Sequence, residues 1–311
     1  MASQQESHQS PYFIGIVKDI APSIPTLKLF ISLILKKFPG AKFIIYENNS
    51  TDGTPDLLQG LDSSAVRIIS ERIDPSTLLD SCKARTWDNK PCRMEAIAAA
   101  RNRLLDFFWE SSPADDALVV IMDFDINKIP SMGPLFKYLE NFPSDADAIF
   151  ANGVSAKSPT YYDMYALRTV SAPIGPEISG EAFWQGIKYM SIPQDGALIP
   201  VISAFGGIGI YRVASIRGAR YSGIVTSALD AFYRAIFTMD ASIRKKYEHT
   251  AIKVKDGVLH GIKLYGDILY QNNSGYNFPV ICEHSAFHAD MALTGHNRLF
   301  IASDLIYTST H

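Results

Sequence analysis

The stretch ALVVIMDFD, residues 117–125, is apolar through Met122 and then turns acidic. An apolar run of this length between polar segments reads as a strand buried on both faces, the kind found inside a parallel sheet. If the strand extends to its last residue, period-two geometry sends Asp123 and Asp125 to one side and Phe124 to the other. Two carboxylates held this close repel each other unless a cation lies between them, and hard oxygen ligands suit Mg²⁺ or Mn²⁺. The competing reading is one Asp capping a following helix and the other merely exposed.

Working outward, YFIGIVK (12–18) predicts a strand, IPTLKLFISLILKKF (24–38) an amphipathic helix, and AKFIIYE (41–47) a second strand. TPDLLQGL follows as a short helix with Pro55 near its first turn, then a strand at AVRIIS (65–70) and a long helix at RMEAIAAARNRLLDFFW (93–109). This order predicts an α/β fold of βαβ units, with a mainly parallel central sheet covered by helices on both faces. Ligands of such sheets bind beyond the carboxyl ends of the strands. After about residue 145 the pattern loosens into aromatic and proline-rich stretches such as SPTYYDMYALRT and SAPIGPEISGEAFWQG. We expect residues 1–10 to be a disordered tail, with one lobe over 11–145 and a second, mixed lobe over 146–311 sharing the same sheet.

Of the 311 residues, 29 are basic and 32 acidic, so nothing draws the chain as a whole to nucleic acid or anionic lipid. Three cysteines, Cys82, Cys92 and Cys282, lack ligand or disulfide spacing and fit reduced thiols in a cytoplasmic chain. LFISLIL (29–35) is far shorter than the ~20 residues a membrane span needs. Sequons fall at Asn48, Asn49 and Asn272, and the first two lie where a glycan would obstruct the polar cluster described next.

That cluster is YENNSTDGT (46–54), which crowns the second strand. Glu47 stands where a carboxylate accepts bonds from a ribose or base edge, beside Asn48. Asp52 and Gly53 suit a tight turn, and Thr54 suits a helix cap. An ordinary strand-to-helix turn accounts for the last three but not for Glu47 and Asn48.

With these residues in place, the chain resembles nucleotide-sugar glycosyltransferases of the A-type fold. YENNSTDGT looks like their second-strand signature, and MDFD like the DxD that binds metal and sugar-nucleotide diphosphate. More narrowly, it resembles the fungal capsule-associated α-1,3-mannosyltransferase family. Similar blocks run in the same order through ARNRLLD, YYDMYALR, SAFGGIGIYR and CEHSAFHADM, covering roughly residues 12–306.

The resemblance implies a nucleoside diphosphate sugar donor, GDP-mannose or a UDP-sugar, a glycan or glycoconjugate acceptor, and a Mn²⁺ or Mg²⁺ cofactor. It places Lys18, Glu47, Asn48, Asp52, Arg101, Asn102 and Asp123 on the donor. Asp123, Asp125 and His288, or else His284, become metal ligands. Gly206, Gly207, Arg168 and Trp184 fall to the acceptor or phosphate loops, and Glu283 and Asp163 to catalysis. An Asp163–Arg168 ion pair is the plainer alternative for YYDMYALR. His296 is a weaker site candidate, and His249, His260 and His311 look peripheral. A degenerate fold kept for carbohydrate binding and, less so, a sugar nucleotidyltransferase remain as competitors; GIVKDIAPSIP lacks the latter's glycine- and lysine-rich loop.

Overall fold

The computed structural model describes residues 10–86, 88–187, 190–240, 242, 254–255, 258–259, 261–265, 268–271, 276 and 278–309. His249, His260, His311, the sequon at Asn272 and nearly all of the expected N-terminal tail lie outside the described residues. In the first half, β1 (Tyr12–Val17), α1 (Ile24–Lys37), β2 (Lys42–Asn48), α2 (Thr54–Gln59), β3 (Val66–Glu71), α3 (Pro75–Ser81), α4 (Arg93–Glu110) and β4 (Leu118–Met122) alternate as the periodicity predicts. The second half contributes α5 (Met132–Glu140), β5 (Ala148–Ser155), β6 (Ser158–Tyr161), α6 (Pro176–Ser179), α7 (Glu181–Ile187), β7 (Leu198–Val201), β8 (Ile208–Arg212) and α8 (Ser227–Met239). It continues with β9 (Val254–Lys255), β10 (Val258–Leu259), β11 (Gly261–Tyr265), β12 (Ile268–Gln271), α9 (Glu283–Leu293) and β13 (Leu299–Ser309).

One nine-stranded sheet runs through both halves in the order β3-β2-β1-β4-β8-β5-β13-β7, with β6 paired to β5. Strands β3, β2, β1 and β4 are mutually parallel, β8 is antiparallel to both β4 and β5, and β13 runs parallel to β5. The mainly parallel α/β class is thus observed. Alternating residues of each strand feed two cores. Phe13, Phe43, Ile45 and Val120 meet Leu27, Phe30 and Ile34 of α1 on one face. Ile14, Ile44, Val119 and Ile121 meet Ala98, Leu104 and Phe108 of α4 and Phe287 of α9 on the other. Apolar spacing of three to four residues gives α1 its buried stripe, and Lys36 and Lys37 in its last turn suit the dipole.

One sequence expectation is corrected. The strand expected over 117–125 stops at Met122, where its partner β8 begins at Ile208 and the antiparallel ladder runs out. Only the Asp123 N–H continues outward, to the Gly207 carbonyl at 3.0 Å. The apolar FPVI before CEHSAFHADM forms no strand; Val280 makes one isolated bridge to Ile224. Conversely, β13 is a long strand that the loosened second-half pattern concealed. It lies between β5 and β7 and is interrupted by a register shift between Ala302 and Ile306.

Candidate active site

Loops from the carboxyl ends of β1 and β2 are knitted to one another. Asp19 accepts from the Thr51 N–H at 2.7 Å, the Asp19 N–H reaches Ser50 Oγ at 3.0 Å, and the Ile20 N–H reaches Thr54 Oγ1 at 2.8 Å. Asp52 accepts from the Ala21 N–H at 2.9 Å and the Thr54 hydroxyl at 2.6 Å, which hold its carboxyl below the usual range, the Thr54 contact first. Its role is thus to tie two loops together, contrary to the donor contact expected of it.

Glu47 is a second correction. It is fully buried, its Oε1 takes the Ser50 N–H at 2.7 Å, and its Oε2 accepts from the Ser70 hydroxyl. A carboxylate turned inward with both oxygens engaged braces the turn instead of reaching for a ribose. Asn49, at φ 56°, exchanges a pair of hydrogen bonds with the Ile73 backbone. Asn48 is half-buried at the strand end, and Lys18 is exposed on the same edge of the sheet, since β1 lies directly between β2 and β4.

The carboxyl end of β4 gathers the charged groups. Phe124 is fully buried among the α1-side core residues, while Asp123 and Asp125 on either side of it are half-buried. The Tyr307 hydroxyl of β13 reaches Asp125 Oδ1 at 3.4 Å.

Arg101, from the middle of α4, donates through Nη2 to Asp123 Oδ1 and through Nε to Glu283 Oε1, both at 3.1 Å. Its guanidinium lies over the rings of Phe205 and Tyr221, at 5.0 and 5.7 Å from their centroids. Asn102 clamps the Tyr221 backbone from both sides at 2.8 and 2.9 Å, so its amide holds a loop and is not turned to the donor as expected. Asp163 accepts from the Gly206 N–H at 2.9 Å. Gly206 and Gly207 have φ of 64° and 87°, and a Cβ at either would collide with the Ala151 carbonyl or the Tyr307 ring respectively. Glycine is required at both places by backbone and by space.

Arg101 thus binds two carboxylates, Asp123 and Glu283, while Asp125 and Asp163 lie near enough to act on the charge of Asp123. Withdrawal from water pushes Asp123 up to about 7; Arg101 draws it down, and neighbouring Asp125 adds to the rise. Burial also pushes Asp163 up to about 6 against the pull of the Gly206 N–H. Such shifts mark groups whose negative charge is under-compensated by the protein alone.

Among the described residues no group of three or more His, Cys, Asp or Glu side chains is arranged to hold a metal. The hard oxygen donors at the tip of β4 are those of Asp123 and Asp125, both half-buried. Such a pair suits an ion that completes its shell with phosphate oxygens and water.

No family model matches this chain, and no curated protein matches it. Its course is similar to several solved structures. S. aureus TarS 1–349 in complex with UDP-GlcNAc shares 10% identity over 97% of this chain and 59% of that one, with a TM-score of 0.45. A mannosyltransferase from Pyrobaculum calidifontis in complex with GDP-Man and Mn²⁺ shares 13% over 70% and 48%, at a TM-score of 0.38. Mannosyl-3-phosphoglycerate synthase from Rubrobacter xylanophilus shares 11% over 88% of each chain, at a TM-score of 0.40. The chain spans 59% of the TarS structure's length and 48% of the mannosyltransferase's.

The remaining candidates have other partners. His288 is buried, with Nδ1 against Ser203 Oγ at 2.9 Å, Nε2 against the Tyr211 hydroxyl at 3.1 Å, and its ring packed on Phe150. With both ring nitrogens engaged it is not a metal ligand, and burial lowers it to about 3. His284, also buried, stacks on Phe205 with centroids 3.9 Å apart. Arg168 pairs with Glu177, not with Asp163, at 3.1 Å, and donates to the Tyr165 and Leu167 carbonyls. It is 2% exposed and holds the α6 turn from inside, so it does not serve a phosphate loop. His296 binds Asp147 at 3.0 Å, away from the cluster. Trp184 stacks on Tyr165, outside the carboxylate group.

Sequence reasoning missed Tyr307, Tyr221 and Phe205. The alternation in LFIASDLIYTS would have found the strand carrying Tyr307; nothing local distinguishes the other two.

Among the described residues no helix is long and apolar enough to cross a membrane. All three cysteines are buried and unpaired.

Proposed function

We propose that the chain is a metal-dependent glycosyltransferase of the A-type fold, moving a hexosyl group from a nucleoside diphosphate sugar to a hydroxyl of a glycan acceptor. One observation carries the reading: at the carboxyl end of a central parallel strand Asp123 and Asp125 flank the buried Phe124, Asp123 held by Arg101 and Asp125 in reach of Tyr307. Strand ends of this kind are where open α/β sheets bind ligands.

Asp123 and Asp125 would hold Mn²⁺ or Mg²⁺, which when bound supplies charge neutralisation at a departing diphosphate. Arg101 aims the Asp123 carboxylate and partly offsets the burial that favours its protonated form, and Tyr307 orients Asp125. The Gly206–Gly207 loop lets backbone approach the substrate, with Asp163 fixing its position. Glu283 is our candidate base for an inverting reaction, in which it would take the acceptor proton after loosening from Arg101. A retaining reaction would leave that proton to the departing phosphate. On this reading residues 11–145 serve the donor and 146–311 the acceptor. The block order also favours GDP-mannose or a UDP-sugar as donor.

Turnover of a panel of nucleotide sugars with Mn²⁺, in the parent and in Asp125→Ala, tests this. The variant should lose at least ~10²-fold in rate, as removal of an electrostatic stabiliser does; undiminished transfer would remove the metal assignment. The second reading, a degenerate carbohydrate-binding fold, draws on the binding of Arg101 to both Asp123 and Glu283. Donor hydrolysis without acceptor separates the two.

A further inference from the structure

A cavity of about 560 Å³ opens beside the carboxylate cluster, lined by Tyr165, Trp184, Tyr276, Pro176, Val280 and Arg93. Its volume falls in the range of small-molecule sites. Three aromatic residues form its walls, each half-buried and so presenting part of its surface to the space. Tyr165 and Trp184 are stacked, with centroids 5.9 Å apart and planes 25° from parallel. The platform is held from behind: the Tyr165 hydroxyl donates to the Val280 carbonyl at 3.0 Å, and Phe183 meets Trp184 edge-on at 5.1 Å.

From this cavity three chain segments lead into the cluster. Tyr165 is two residues from Asp163, and Val280 is three from Glu283, a span of at most ~10 Å. Arg93 lies eight residues before Arg101 on the same helix, about 12 Å along its axis. The separation is within reach of a short oligosaccharide whose terminal unit lies at the carboxylates.

We propose that this cavity is the acceptor subsite, and that it takes a unit of a neutral oligosaccharide preceding the one glycosylated. The assignment rests on the glycosyltransferase reading above. A pyranose carries an apolar face of polarised C–H bonds, which the negative face of an aromatic ring attracts, and a rim of hydroxyls. The Tyr165–Trp184 platform supplies the first partner. The exposed Arg93 in the first turn of α4 supplies donors to hydroxyl oxygens. Of its eight lining residues five come from residues 165–184 and 276–280, and three, Cys92, Arg93 and Met94, from the start of α4.

Isothermal titration with mannotriose, maltotriose and chitotriose, without nucleotide or metal, tests it in the full chain. At least one trisaccharide should bind, and Trp184→Ala and Tyr276→Ala should each weaken it tenfold or more while keeping the parent melting temperature. Absence of binding by all three, or parental affinity in both variants, overturns the proposal. So does a Trp184→Ala variant that loses UDP or GDP binding instead, which would make the cavity a base pocket. Because the titration uses no donor, its outcome is independent of whether the transfer assay succeeds.

Discussion

Arg101 and Glu283 are separated by 182 residues in the chain and meet at 3.1 Å, Nε to Oε1, while the same guanidinium reaches Asp123 at 3.1 Å. One buried cation thereby joins the middle of α4, the first turn of α9 and the tip of β4. Burial works against its charge, but Asp123 and Glu283 outweigh that, and the group is more basic than in water.

Removing that cation strands a carboxylate. Glu283 is 5% exposed, so Arg101→Met should destabilise the fold by roughly 3–5 kcal/mol, the cost of an uncompensated buried charge. Urea unfolding midpoints measure it. Arg101→Met combined with Glu283→Gln should recover part of the loss, and strict additivity would show that the pair is not coupled.

Asp163 gives a pH signature of defined sign. Its folded value, about 6, lies above the ordinary 3.8, so the folded chain binds its proton more tightly than the unfolded chain. The Asp163 contribution therefore falls as pH rises through about 4 to 6 and stays low above. Asp163→Asn, which keeps an oxygen for the Gly206 N–H, should be more stable than the parent by roughly 1–3 kcal/mol above pH ~6.5 and level with it near pH ~4. Melting curves across that range would refute the burial argument if the gap did not close in acid.

His288 has the opposite sign. Its folded value, about 3, lies below the usual 6.5, so the unfolded chain takes up the proton first and stability is lost as pH falls below about 6.5. His288→Gln should flatten that acid loss. The same variant should leave the Mn²⁺ dependence of transfer as in the parent, and a tenfold change in that dependence would restore His288 as a ligand.

Gly207 links backbone strain to the site. Gly207→Ala places a β-carbon against the Tyr307 ring at a φ of 87°, and Tyr307 contacts Asp125. A loss of about 1–3 kcal/mol in stability should accompany a drop in transfer rate. Intact activity with lowered stability would show that Tyr307 does not position Asp125.

The first half of the fold was legible because each element announces itself locally. The spacing of Leu27, Phe30, Ile31 and Ile34 writes out α1, and the apolar runs at 12–17 and 42–46 write out strands covered on both faces. The second half was not. β8 and β13 are short or interrupted, and their place in the middle of the sheet depends on pairing with β4 and β5 from distant parts of the chain. In the site, Asp123 and Asp125 stood out by their place after the apolar run of β4. Glu47, Arg168 and His288 were misread because residue type and spacing do not reveal whether a polar group is already bound inside the protein.

The amino-acid order by itself determined the α/β class and the two-sided burial of the early strands, since these follow from periods of 3.6 and 2.0 residues and from unbroken apolar runs. Which charges remain for a ligand was decided only in three dimensions. Ser50 and Ser70 engage Glu47, Glu177 engages Arg168, and Ser203 with Tyr211 engages His288. Burial makes a polar group take whatever partner the fold brings within hydrogen-bonding distance, and that partner can come from anywhere in the chain.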